Sequence, residues 1–202
     1  MSSDALLPGA RQPRPGHRAG GHRKNSRVQT VSRGLVRVPV SAALVLLAYL
    51  AVRENIRIRG FEAWLASHVI AIGAHVPTGY FANWQAVWFA ETTHERLALV
   101  ITPECTVGLL MVPFLVAGAF LVWQRVPLRW PLAALAVSLL MLIAVNQFRL
   151  LAIVWFVRGI GYTTGFYWGH TMIGSVITIL GLAASLAVFV LLSGHRRHFR
   201  SR

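Results

Sequence analysis

The chain has 202 residues, of which 55% are hydrophobic and 13% charged, with a mean hydropathy of +0.57 and a net charge of +14. Soluble domains carry about 25% charged residues, so this composition points away from a water-soluble domain and toward a single domain solvated by lipid. The positive charge is not a nucleic-acid signature either, because it lies in tails flanking apolar segments rather than on a folded face.

Residues 1–34 are rich in Arg, Gly, Pro, Ser and His and can bury too little apolar surface to fold, so they read as a disordered basic tail. They do not read as a cleavable signal peptide, since the basic stretch is long and no small-residue cleavage site follows the first apolar run. That run, 35–52, is a first membrane span near the short limit of about 17 residues. A charged stretch follows from Arg53 to Arg59. Residues 61–76 are apolar but short and carry Glu62, His68 and His75. They could form a further span, but length and polarity favour an interfacial or re-entrant helix. Residues 81–102 place two β-prone runs around a polar turn, 91–95, which reads as a β-hairpin lying on the membrane. Phe81, Trp84, Trp88 and Phe89 suit the aromatic belt of a membrane interface.

Three more spans are expected, at 105–123, 131–157 and 170–193. Pro113 lies inside the first of these, where a membrane helix tolerates it. A basic loop with Arg125 and Arg129 joins the first two, and a Gly- and aromatic-rich loop, 159–168, joins the last two. Residues 194–202 form a basic tail, leaving 35–193 as the membrane-embedded domain. The expected fold is an all-α membrane protein: a polytopic bundle of about four transmembrane helices, with an extracytoplasmic interfacial helix and a β-hairpin. With four spans, the N-tail, the Arg125/Arg129 loop and the C-tail share one side. Counting Arg37 at the head of the first span, that side holds 14 of the 20 Lys and Arg residues and only Asp4 of the six acidic ones. The positive-inside rule makes it cytoplasmic, in a multi-pass protein of the plasma membrane in contact with anionic lipid.

This topology gathers the unusual residues at the opposite, extracytoplasmic end. Cys105, the one cysteine, opens the second span and His170 the fourth. Arg149 lies inside the third span, with Asn146 one turn earlier on the same face. A charge inside a membrane helix is costly and usually faces the bundle interior or a polar cavity. Glu104, beside Cys105, is the nearest acidic partner for Arg149. The bland alternative is that Arg149 snorkels to headgroups, but its side chain leans toward the helix N-terminus, which here points inward. A helix start favours a thiolate at Cys105, and a cation nearby favours it further. His170 is the natural proton carrier for a leaving group, while Arg149 or the N–H groups after Cys105 could stabilise an oxyanion. The bland alternative for Cys105 is a packed, inert thiol. A metal site from His68, His75 and His94 lacks tight ligand spacing, and no cofactor or metal is expected.

Two motifs carry a family resemblance. The run Glu104-Cys105-Thr106-Val107-Gly108, preceded by the β-prone run 97–101, resembles the cysteine motif of the exosortase/archaeosortase family. Asn146-Gln147-Phe148-Arg149 resembles its Asn-x-x-Arg, and His170 matches its third residue. The resemblance covers about 89–181. It differs in Val107, where the family usually has a small residue, and in the shortness of the chain. It implies a membrane-embedded cysteine transpeptidase with Cys105 as nucleophile, Arg149 as transition-state stabiliser and His170 as acid/base, supported by Asn146, Glu104, Thr106 and Gly108. The implied substrate is a secreted protein with a C-terminal motif, a transmembrane helix and a basic tail. The implied acceptor is an envelope lipid or glycan, and no nucleic acid is involved. A non-catalytic membrane scaffold and a small transporter subunit are the competing readings.

Overall fold

The computed structural model describes residues 23–90, 96–124 and 126–194. The chain divides into two compact units, Met1–Val36 and Arg37–Arg202. Of the first, the described part is helical from Arg23, so residues 23–34, expected to be disordered, belong to a helix. The rest of the N-tail, residues 1–22, and the C-tail from 195 lie outside the described residues.

The architecture is mostly helical. Helix α1 runs Arg23–Arg53, α2 Asn55–Ala74, α3 Val107–Trp123 and α4 Arg129–Ile160. The last helix, α5, runs Tyr162–Gly194 and changes character along its length. It is α-helical over Tyr162–Phe166, π-helical over Tyr167–Ile173 and α-helical again over Gly174–Gly194. Among the described residues, three segments are long and apolar enough to cross a membrane: Val36–Arg53, Arg129–Ile160 and Tyr162–Gly194. The apolar helix α3 has 17 residues, at the short limit of about 17 for a span.

Burial separates the roles of these helices. The most apolar window of α4 is 56% buried, against 17% in α1 and α5. So α4 is the central helix, while α1 and α5 turn residues such as Leu46, Leu47, Ile179 and Leu191 outward. An exposed apolar face of that extent is what a lipid solvent demands.

The charged stretch 53–59 and the expected loop 159–168 are both largely helical. The charged stretch 53–59 is not a connection, since α2 begins at Asn55 and exposes Arg57 in a surface ion pair with Glu54. The Gly/aromatic stretch is helical from Tyr162. Gly165 within it, and Gly169 and Gly181 beyond it, are there for packing. A Cβ on Gly165 would collide with the Phe156 carbonyl, one on Gly169 would lie 3.0 Å from the Ile153 Cα, and one on Gly181 would strike Val145. They form a seam along which α5 lies directly on α4, the small-residue mode of packing membrane helices.

The expected hairpin is a three-stranded antiparallel meander: β1 Thr78–Phe81, β2 Ala86–Ala90 and β3 Arg96–Val100, in that order across the sheet. Thr78 faces Phe89, and Ala86 faces Val100. The expected turn, 91–95, lies outside the described residues. The sheet packs on α2, which ends at His75 in the left-handed conformation, φ 51°. The last carbonyls of α2, orphaned by the helix end, accept from α4: Arg158 Nη1 to the Ala74 carbonyl at 3.0 Å, and Trp155 Nε1 to that of Gly73 at 3.3 Å.

The apolar interior falls into two clusters. One joins α2, the sheet and the second half of α4, and the other joins α1, α3, the first half of α4 and the end of α5. Cys105 belongs to the first and Val107 to the second, so the cysteine segment lies at the junction.

The seam yields a direct expectation. Gly165→Ala forces a methyl into backbone and should destabilise the protein by about 1–3 kcal/mol, the usual cost of overpacking. Gly159→Ala, where an added Cβ meets nothing within 4 Å, should leave stability unchanged or slightly raised. Thermal unfolding of the two variants in one detergent checks the contrast.

Candidate active site

The segment between β3 and α3 is set by local hydrogen bonding. Residues Pro103–Cys105 form a 3-10 turn in which the Cys105 N–H bonds the Thr102 carbonyl at 3.0 Å. Helix α3 then starts at Val107 with Thr106 as N-cap, the preferred residue class for that position. Cys105 therefore precedes the helix by two residues instead of opening it.

The structure brings together the three residues singled out in the sequence. Cys105 is buried, and its Sγ lies 3.2 Å from His170 Nε2. Arg149 Nη2 approaches the same sulfur at 3.6 Å. Arg149 is only 8% exposed, so it does not reach out to headgroups and the snorkelling alternative fails. His170 sits in the π-helical segment of α5, a departure from α-helix that recurs at functional sites. The ring of Phe166 stacks on His170 at 5.0 Å and 11° between planes, which fixes the imidazole plane. Gly174 leaves the space that Arg149 occupies, since a Cβ there would lie 3.0 Å from Arg149 Nε.

The expected supporting residues separate. Thr106 and Gly108 are structural parts of the cysteine segment. The Thr106 hydroxyl accepts the Gly108 N–H at 3.2 Å, and the missing Gly108 side chain lets Ile58 of α2 pass close by. Asn146 is buried one turn from Arg149, and its Nδ2 has no partner among the described residues. The side chain of Glu104 lies outside what the structure describes, and the contact Arg149 makes is with the sulfur.

The residue that sequence reasoning missed is Glu62. It is 3% exposed, and its Oε1 accepts both the Thr106 hydroxyl and the Val107 N–H at 2.8 Å. A carboxylate from another helix thus does for α3 what the reciprocal acid of a capping box does within one helix. Burial pushes the Glu62 carboxyl above its ordinary value of 4.5, against the opposing pull of those hydrogen bonds and of Arg59. The signal was present as a lone acid in an apolar helix, which by default marks a functional position. One turn earlier on α2, Arg59 Nη1 donates to the Ile101 carbonyl at 3.1 Å. The two side chains hold both ends of the segment that carries Cys105.

These bonds also narrow the chemistry. The backbone N–H groups of Cys105, Val107 and Gly108 are all committed. Arg149, with its Nε buried and unpartnered among the described residues, keeps a donor to offer. The guanidinium thus has a donor left over beside the sulfur. Among the described residues no three His, Cys, Asp or Glu side chains are placed to hold a metal ion. His68 instead bonds the Trp64 carbonyl through Nδ1 at 2.8 Å, and His94 lies outside the described residues.

No protein-family model matches the chain, and no curated protein or solved structure matches it.

Glu62 gives a two-part expectation. Glu62→Leu strands a buried hydroxyl and a buried N–H, each costing about 1–3 kcal/mol, whereas Glu62→Gln keeps an acceptor oxygen and should cost less. Because the folded carboxyl titrates above 4.5, the folded state holds the proton more tightly than the unfolded state. Stability should therefore fall as pH rises from about 4.5 through the folded value. Unfolding midpoints measured across pH should show that slope in the parent and its loss in Glu62→Gln.

Proposed function

We propose that this chain is a membrane-embedded cysteine peptidase or transpeptidase of the exosortase/archaeosortase type, acting on the extracytoplasmic side of the plasma membrane. The observation that carries the reading is the convergence on one sulfur of an imidazole at 3.2 Å and a guanidinium at 3.6 Å, from residues 65 and 44 positions away. A packed inert thiol has no need of either neighbour, and a burial cost this high for Arg149 calls for a return elsewhere.

The chemistry follows from the geometry. His170 Nε2 takes the thiol proton, and Arg149 stabilises the sulfur anion. The thiolate attacks the scissile carbonyl and a C–S bond forms. The oxyanion falls to Arg149, whose planar fork presents donors in fixed directions. The imidazolium returns its proton to the leaving amine as the C–N bond breaks, leaving a thioester. An acceptor amine, hydroxyl or water then loses its proton to His170 and displaces the sulfur. The substrate is a secreted protein presented by its own C-terminal membrane helix, followed by a basic tail, and the acceptor belongs to the envelope.

Helix lengths support a site near an interface. At 1.5 Å per residue, the 32 residues of α4 and 33 of α5 reach about 48 and 50 Å, beyond a hydrocarbon core of about 30 Å. Tyr162, Tyr167 and Trp168 are exposed near the start of α5, where an aromatic belt would lie. With α3 as a fourth span, the basic N-tail, the Arg125/Arg129 loop and the C-tail share the cytoplasmic side.

Two experiments test this. Co-expression with a tethered substrate of the stated kind should give cleavage that Cys105→Ser abolishes. Arg149→Lys should reduce it on the order of 100- to 1000-fold, the loss seen for one oxyanion donor. Protein abundance should be unchanged in both. Normal cleavage by both variants would return the chain to the scaffold reading. For sidedness, Asn83→Cys on a Cys105→Ala background places a thiol on an exposed turn of the sheet. A membrane-impermeant maleimide should label it in intact cells, and labelling only after permeabilisation would reverse the topology.

A further inference from the structure

The peptidase reading leaves unused an apolar cavity of about 230 Å³ beside β3. Residues 97–100 of β3 all line it, together with Thr102, and Ile153, Val157 and Phe166 of α4 and α5 close the other side. Successive side chains on a strand point to opposite faces. A cavity touched by four consecutive residues therefore runs along the strand's edge. β3 is an edge strand of the sheet, so its outer N–H and C=O groups could pair with an added strand.

Two contacts tie this cavity to the cysteine. Phe166 is a wall of the cavity and also the ring stacked on His170. Thr102 is a second wall, and its carbonyl accepts the Cys105 N–H. The volume is below the roughly 300–1,000 Å³ of pockets that hold drug-sized ligands, and suits one or two amino-acid side chains. Its walls are apolar apart from Thr102 and the Tyr162 hydroxyl.

We propose that β3 receives the substrate polypeptide as an added strand next to the cleavage point, and that the cavity takes an aliphatic side chain of that strand. Main-chain bonds to an edge strand give affinity and a side-chain pocket gives selection, the usual division in strand addition. The proposal rests on Cys105 being the nucleophile and adds what addresses a peptide to it.

The test uses the full chain, purified in detergent, and thiol probes of two kinds. Iodoacetamide reads the reactivity of Cys105 alone. Tripeptide acyloxymethyl ketones read it through a peptide: the sulfur displaces the carboxylate from the methylene, forming a thioether. Leu and Asp are compared at each of the three positions in turn, and each backbone amide is N-methylated in turn. At one position Leu should label at least about tenfold faster than Asp, as expected for an apolar pocket. N-methylation of one amide should slow labelling about fivefold, the worth of one hydrogen bond. Ala98→Trp, at an exposed position on the cavity wall, should erase the Leu preference and leave the iodoacetamide rate as it was. If iodoacetamide labels Cys105 while Leu, Asp and N-methylated probes react alike, the strand subsite is wrong and the nucleophile stands. That would be the outcome if a lipid acyl chain fills the cavity. If neither probe class labels Cys105, the nucleophile assignment falls and the subsite with it.

Discussion

Gly165, Gly169, Gly174 and Gly181 set the distance between α4 and α5, and the geometry around Cys105 follows from that distance. The intervals are four, five and seven residues. Four and seven keep residues on one face of an α-helix, but a step of five turns the next residue away by about 140° at 3.6 residues per turn. The π-helical segment Tyr167–Ile173 absorbs the mismatch, with the Gly174 N–H bonding the Gly169 carbonyl five residues back. The seam therefore stays continuous through the widened turn. His170 follows Gly169 directly, so the segment that keeps α5 seated on α4 also aims the imidazole at Cys105. Gly174 meanwhile leaves room for Arg149. One irregular turn thus places two of the three side chains around the sulfur.

The polar groups of this region are unusually underused. Arg149 Nε, Asn146 Nδ2, Glu62 Oε2 and both polar atoms of the Gln147 amide are buried without partners among the described residues. A buried polar group left unpaired costs about 1–3 kcal/mol, so a fold tuned for stability alone would pair or replace them. In the proposed reaction, the spare donors beside Cys105 would be filled when charge develops on a substrate oxygen. Only interactions stronger in the transition state than in the ground state raise a rate. Arg149 fits that requirement best, because its Nη2 already faces the sulfur while its Nε remains free.

Local chemistry made part of this legible in the sequence. Cys105, Arg149 and His170 stand out because each is rare in an apolar segment, and rarity needs no knowledge of the fold. The apolar runs mark the helices for the same reason, although their ends were misjudged at 53–59 and 159–168. There, charge and glycine imitate loops, while Ile56, Ile58 and the α4 seam supply a reason to be helical. What was not legible is pairing across distance. Glu62 meets Thr106 and Val107 more than forty residues on, and no periodicity in 61–76 announces it. The third strand, Thr78–Phe81, is too short to read alone and becomes visible only through its pairing with Ala86–Phe89. The π-helical turn could have been found from the glycine intervals, had α5 been recognised as one helix.

The segment that carries Cys105 is tied at both ends to one face of α2. Arg59 holds the Ile101 carbonyl and Glu62 holds the Thr106 hydroxyl and Val107 N–H, three residues apart on that helix. The Ile101 N–H also bonds the carbonyl of Gln85, just before β2, at 2.8 Å, so the same helix registers the end of β3 against the start of α3. α2 is in turn fixed to α4 by Arg158 and Trp155 at its last carbonyls and by Gly73 packing on Leu151. The sulfur is therefore positioned relative to Arg149 along two routes, directly by contact and through α2. For the reaction proposed above such redundancy would matter, because small displacements of a reacting atom cost large factors in rate. This accounts for a buried acid at Glu62, where an apolar side chain would pack more cheaply. Its two hydrogen bonds tie the start of α3, and with it Cys105, to the helix on which the sheet is built.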